Sequence, residues 1–314
     1  MNYTQDQIDK VCKLKKLNMP HRMISQAVFG KRTAASSVHS ILAVHYYPLK
    51  LREPRVLIFD IETSPILGYV WGLFNQNLQL DRIVEDWMII TWAAKWLGEG
   101  VVFCDTIANY DYTGGFDPVA EKKLVAGLWD LLDEADIVVA HNGDKFDRRK
   151  ANAKFLEYGL GEPSPYKIVD TLKIARGNFA MTSNKLDYIA KFLTGHGKME
   201  HEGFPLWSKF LQNDPVAQKN MLDYNIQDVH VLEEVYVTIR GWDKKAPNIA
   251  LYFGDQDVRC PKCGGLHLTE LAGKHAYTNL SQFQLMQCDS CGGYSRQRVN
   301  LLQKVKRANV LMNV

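Results

Sequence analysis

Residues 56–63 read Val-Leu-Ile-Phe-Asp-Ile-Glu-Thr, an apolar run that closes on two carboxylates one residue apart. A short apolar run of this kind is the signature of a buried strand. Side chains alternate across a strand, so Asp60 and Glu62 emerge on the same face. Two adjacent anions repel, and a fold tolerates them best with a cation between them. Hard divalent ions such as Mg²⁺ and Mn²⁺ take oxygen ligands of this type. The strand therefore asks for a sheet that buries its first half and for partners that complete a metal site at its end.

The chain around that strand alternates strand and helix patterns. Strands are expected at 55–61, 88–93, 101–104, 137–140 and 167–170, and helices at 118–134, 146–158, 183–194 and 215–240. No long helix separates the first three strands, so they form an antiparallel meander. The later strands alternate with helices and add in parallel. The expected fold is a mixed α/β sheet flanked by helices. Residues 64–87 give no clean pattern. Trp71, Phe74 and Trp87 lie there, either stacking on bases or, the weightier expectation, buried against the sheet.

Two flanks differ from this centre. Residues 1–53 carry nine Lys/Arg against three Asp/Glu, residues 242–314 carry ten against five, and residues 54–241 carry nineteen against twenty-seven. Basic ends around an acidic centre suit flanks that hold a polyanion and a centre that collects cations, or else solvated surface alone. Residues 6–14, 23–29 and 34–44 have helical spacing, with breaks at Asn18-Met19-Pro20 and at Gly30. With Lys31-Arg32 before the last helix, 1–53 reads either as a helix-turn-helix or as a plain helical bundle. The expected division is 1–53 helical, 54–241 the α/β domain, and 255–314 a cysteine-bearing module with a basic tail, Lys304-Val305-Lys306-Arg307. No apolar stretch is long enough to span a bilayer, and the N-terminus lacks the apolar block of a signal peptide, so a cytoplasmic location is expected.

Two further acidic sites follow the first. His141-Asn142-Gly143-Asp144-Lys145-Phe146-Asp147 leaves a strand and enters a helix. Asp144 suits its N-cap, and Asp147 then falls in the first turn, where the helix dipole favours an ionised carboxylate. Asp147 is thus either a metal ligand or a plain first-turn acid. Arg148-Arg149-Lys150 behind it either meet phosphates or lie on a solvated face. The third site is Tyr224-Asn225-Ile226-Gln227-Asp228, inside a helix that starts at Asp214-Pro215. Tyr224 and Asp228 share one helix face. Tyrosine titrates near pH 10, so Tyr224 suits positioning a water better than acting as a base.

Phe-Asp-Ile-Glu-Thr at 59–63, Asn-x-x-x-Phe-Asp at 142–147 and Tyr-x-x-x-Asp at 224–228, in this order, resemble the DEDD superfamily of 3′–5′ exonucleases. These are the DnaQ-like proteins of ribonuclease H-like fold. Asp223 stands where one subgroup has His, and Tyr224 makes the chain similar to the DEDDy subgroup, which includes the proofreading domains of family B DNA polymerases. Residues 183–193 look like the helix before the third motif there, and Val169-Asp170-Thr171 like the strand after the second. The resemblance covers about 54–241. It implies that Asp60, Glu62, Asp147 and Asp228 hold two Mg²⁺ or Mn²⁺ ions and that Tyr224 orients the attacking water. It further implies hydrolysis from a free 3′ end, on DNA before RNA, in replication proofreading or repair beside a DNA polymerase or other replication protein. Asp170 is left as a structural strand-end acid. Two other readings keep some of these features: a ribonuclease H-like endonuclease of transposon or resolvase type, and a non-catalytic DNA-binding protein. The complete Tyr-x-x-x-Asp motif argues against the first, and the four acids together against the second.

Four of the six cysteines form two Cys-x-x-Cys pairs, Cys260/Cys263 and Cys288/Cys291, each followed by Gly-Gly. Two such pairs at hairpin separation match a four-thiolate structural Zn²⁺ site, a zinc ribbon. His267 and His275 are available as substitutes. A module this small has little core of its own, so the metal would hold it together, and its surface would meet nucleic acid or a protein. Cys12 and Cys104 stand apart as small apolar side chains.

Overall fold

The computed structural model describes residues 3–16, 21–30, 35–42, 53–199 and 201–311. Two compact units divide the chain: 1–53 with 251–257, and 54–250 with 258–314. The first contains α1 (Gln5–Lys16), α2 (His21–Phe29) and α3 (Ala35–Ile41). Thr4 and Gln7 cap α1 reciprocally, Gln7 N donating to Thr4 Oγ1 and Thr4 N to Gln7 Oε1. Gly30 ends α2 at φ +68°. Val11, Ile24, Val38, Ile41 and Leu42 bury a small core between the three helices. Lys31 and Arg32, on which the helix-turn-helix expectation drew, lie outside the described residues, as do Asn18, Met19 and Pro20.

The second unit is built on β1 (Val56–Thr63). A two-stranded ribbon, β2 (Leu67–Gly68) with β3 (Ile83–Glu85), leads from it to β4 (Ile89–Trp96) and β5 (Val102–Thr106). Then come α4 (Pro118–Glu134), β6 (Ile137–Ala140), α5 (Asp147–Tyr158), β7 (Lys167–Asp170), α6 (Thr171–Asn178), α7 (Leu186–Thr194), α8 (Phe204–Leu211) and α9 (Pro215–Ile239). The sheet order is β5-β4-β1-β6-β7. β5, β4 and β1 are antiparallel, and β1, β6 and β7 are parallel. Both halves of the expected topology are present. Every residue of β4 is buried, and Leu57, Ile58 and Phe59 of β1 are sealed from solvent.

Helix starts follow sequence. Asp117 caps α4, accepting from Val119 and Ala120 N, and Asp214 caps α9, accepting from Val216 and Ala217 N; a proline follows each cap. The expected cap at Asp144 is not made. α5 starts at Asp147 itself, and residues 143–146 form a tight turn instead. Asp144 is drawn into ion pairs with Arg148 and Lys173. A buried ion pair fixes α5: Lys154 Nζ lies 3.1 Å from Glu121 Oε2 on α4. Glu121 also accepts from Ile89 N at 2.6 Å and from Tyr158 Oη at 2.5 Å. Those hydrogen bonds offset the desolvation that makes an isolated buried pair costly.

Residues 64–87 depart from expectation. Trp71 is 89% exposed and Phe74 82%, whereas Trp87 packs on the core with Lys150 Nζ 3.7 Å from its ring centre. Burial therefore describes Trp87 but not the other two. The remaining strands, β8 (Leu268–Thr278), β9 (Ser281–Cys288) and β10 (Tyr294–Asn300), form an antiparallel sheet in the order β10-β9-β8, followed by a short α10 (Lys304–Ala308).

Candidate active site

Asp60 and Glu62 lie on one face of β1, opposite Ala93 and Thr91 of β4. α9 packs across β1 and β4 and brings Asp228 to them. Carboxylate oxygens of Asp60, Glu62 and Asp228 lie within 4.8 Å of one another. Asp147 is set slightly behind. Its Oδ1 accepts from the backbone N of Ile61 at 3.4 Å, between the two β1 acids, and its charge acts on Asp60. Two features of the turn before it bring it there. Asn142 takes a left-handed φ of +67°, and a Cβ on Gly143 would stand 2.3 Å from the Ala140 Cβ. Only glycine fits that approach.

Four carboxylates so close and so buried favour their neutral forms. Burial, then the charges of Asp147, Asp228 and Glu62, push Asp60 well above the ordinary aspartate range. Burial, then Asp228, pushes Glu62 up to about 8, and burial pushes Asp147 up to about 7. Asp228 is also raised by burial, although Lys198 opposes the shift. A divalent cation would replace those protons. The donor set fits one: all ligand atoms are oxygens, they converge, and Asp228 Oδ1 is buried without a hydrogen-bond partner among the described residues.

Tyr224 sits one turn before Asp228. Burial, then the Asp228 charge, raises its phenol above the usual range, so it keeps its proton. His201 packs edge-on against its ring, centroids 4.8 Å apart. A cleft of about 780 Å³ reaches Tyr224 and Lys198 from solvent and is lined also by His141, Asn142, Arg176 and Lys185.

The comparisons with known proteins bear on this geometry. Residues 102–240 match the RNase_H superfamily model. That span, under half of the chain, is similar to the RNase H superfamily. Asp147, Tyr224 and Asp228 lie inside the matched span, while Asp60 and Glu62 precede it. A similar protein is the DNA polymerase III PolC-type of Ureaplasma parvum serovar 3, 27% identical over 175 residues. That stretch is 52% of this chain and 11% of the relative, so the chain spans about a tenth of that protein. Together the matches support a nuclease-type domain of the RNase H-like superfamily.

Several site residues escaped the sequence reading. Asn225 is fully buried, donates from Nδ2 to Asp60 Oδ2 at 2.8 Å and accepts from Thr91 Oγ1 at 3.1 Å. Its one signal was its place inside the Tyr224–Asp228 motif. Lys198 pairs with Asp228 and donates to Tyr224 Oη at 3.0 Å. It lies on the loop between Gly195 and Gly203, far from every motif, and carried no signal. Of the basic run after Asp147, Arg148 is taken by Asp144 and Lys150 by Trp87, which leaves Arg149 exposed. Asp170 is structural as expected, accepting from Asn142 N and Leu172 N.

The cysteines also converge. Cys260 and Cys291 sulfurs are 3.7 Å apart and those of Cys263 and Cys288 3.6 Å, too far for disulfides. Tetrahedral Zn–S bonds of 2.3 Å place sulfurs ~3.8 Å apart. The set therefore fits Zn²⁺, and neither His267 nor His275 belongs to it. The knuckle packs on the end of α9. A Cβ on Gly241 would stand 2.1 Å from the Cys291 carbonyl oxygen, and Lys262 Nζ donates to Gly241 O.

Proposed function

We propose that the chain is a divalent-metal-dependent 3′–5′ exonuclease of the DEDDy kind, acting on DNA with a free 3′ end. The observation that carries this reading is the meeting of Asp60, Glu62 and Asp228 within 4.8 Å, with Asp147 behind them and Tyr224 one turn away. Asp60, Glu62, Asp147 and Asp228 would hold two Mg²⁺ or Mn²⁺ ions. When bound, such ions activate water and stabilise the charge on the phosphate and the leaving oxygen.

The chain's own groups do the rest. Asn225 fixes the aim of Asp60 from the helix side. Lys198 Nζ donates to Tyr224 Oη, so the phenol keeps its own proton to donate elsewhere. Tyr224 then orients the attacking water rather than deprotonating it. Lys198 adds positive charge where the phosphate arrives, and Asn142 and Arg176 line the cleft that admits the strand. The four cysteines hold a structural Zn²⁺. A replication or repair setting, beside a DNA polymerase, accords with the PolC-type relative. The helices of 1–53 would add DNA contacts as a helix-turn-helix.

The test is digestion of a 5′-labelled oligonucleotide with Mg²⁺, beside a ribonucleotide twin, a closed circular DNA and the Asp60→Ala protein. A ladder shortening from the 3′ end, lost in the variant and absent on the circle, is expected. Nicking of the circle would favour the endonuclease reading instead.

A further inference from the structure

The sheet β8–β10 and the short helix after it carry an excess of positive charge. Residues 258–311 contain eight Lys/Arg and two Asp/Glu. Arg259 and Lys262 are used internally, donating to Gly264 O and Gly241 O. The other six, Lys274, Arg296, Arg298, Lys304, Lys306 and Arg307, are exposed, and none pairs with a carboxylate among the described residues. Six uncompensated like charges repel one another, a cost that a polyanion removes.

The shape of the patch narrows the polyanion. Tyr294 pairs with Gln287 and Arg296 with Leu285, so both emerge on the β9 face that carries Phe283. The Arg296 guanidinium carbon lies over the Phe283 ring, 3.8 Å from its centre, and Tyr294 is 54% exposed. A guanidinium held over an aromatic ring and an exposed phenol on the same face offer flat groups to unpaired bases. Arg298, two residues on, and the cations of α10 would supply phosphate contacts.

We propose that the β8–β10 face holds single-stranded nucleic acid upstream of the 3′ end being trimmed. This rests on the nuclease reading for its direction, but the surface itself does not. The knuckle is fixed to the end of α9, whose last residue, Ile239, comes eleven residues after Asp228. At 1.5 Å per residue that is about 17 Å of helix. At the ~3.4 Å rise of a stacked, duplex-like strand, about five nucleotides cover it. The face therefore engages long strands and is out of reach of very short ones.

The test uses the full, zinc-loaded chain in Mg²⁺-free buffer without chelator. Binding of a 5′-fluorescent dT20 and of a dT4 is followed by anisotropy across a KCl series for wild type, R296A/R298A and the control Lys122→Ala. Each single-strand phosphate contact contributes about 0.7 to the slope of log K against log salt. The double variant is expected to lose about 1.4 from the dT20 slope and to bind dT20 at least tenfold more weakly. Its dT4 binding, and its dT4 cleavage once Mg²⁺ is restored, should equal wild type. R298A/K306A, which leaves the Arg296–Phe283 stack intact, should lose slope similarly with unchanged zinc content. An unchanged dT20 slope in both variants overturns the proposal. So does loss of binding to phosphatidylserine vesicles while dT20 binding persists. Absence of cleavage in wild type, with the slope change still present, would defeat the nuclease reading alone.

Discussion

Asn225→Ala tests the arrangement most sharply, because the side chain has no solvent to fall back on. Asn225 is fully buried between Asp60 and Thr91. A hydrogen bond to a charged group contributes about 1.5–3 kcal/mol and a neutral one about 1 kcal/mol. Losing both should cost about 3 kcal/mol, since the stranded Thr91 hydroxyl stays buried. For a unit of this size that lowers Tm by about 6–12 °C. Asp60 loses the contact that aims it, and misplacement by an ångström can reduce a rate about 100-fold. Differential scanning fluorimetry and single-turnover digestion of a labelled oligonucleotide read the two effects. We expect kcat to fall about 100-fold with KM little changed. An Asn225→Ala protein with wild-type Tm and kcat within about threefold of wild type would refute the view that α9 positions the β1 carboxylate.

Metal-free, zinc-loaded protein should lose stability as pH rises from about 6.5 to about 8. Glu62 and Asp147 titrate near 8 and 7 when folded against 4.5 and 3.8 ordinarily, so over this window the folded chain binds more protons than the unfolded one. His141, lowered by burial, acts with the opposite sign below about 6.5 and sets the lower limit of the window. Tm that rises with pH across that range would contradict the carboxylate cluster, and added Mn²⁺ should raise Tm more at pH 8 than at pH 6.5. Gly143→Ala forces a Cβ to within 2.3 Å of the Ala140 Cβ, and should cost about 1–3 kcal/mol and reduce cleavage by displacing Asp147; thermal melts beside nuclease assays check this. Cys288→Ser should abolish stoichiometric zinc in atomic-absorption measurements and expose 258–300 to limited proteolysis, because the small sheet has little core of its own. Gly241→Ala should leave zinc bound yet loosen the knuckle from α9, raising hydrogen exchange at 258–265 and 288–293.

The mixed sheet was readable because its signals are local. Residues 56–59, 88–93 and 137–140 are largely apolar runs, and Asp117-Pro118 and Asp214-Pro215 announce their helices. Periodicity and capping are properties of neighbouring residues, so they survive in one dimension. The Asp144 cap is lost in part for a non-local reason, beside its local pair with Arg148. Lys173, on α6, competes for its carboxylate. Trp71 and Phe74 failed similarly, since hydrophobic residues can be exposed whenever no surface folds over them.

The sequence alone determined which carboxylates and thiolates are chemically equipped to bind metal, and that β1 presents two of them side by side. Only the tertiary structure decided how they meet. It brought Asp228 across the sheet, set Asp147 behind rather than level, and supplied Asn225 and Lys198 as partners no motif had named. Ligand type is written in a residue's identity, but a hydrogen bond between residues 165 positions apart exists only once helix and sheet have packed.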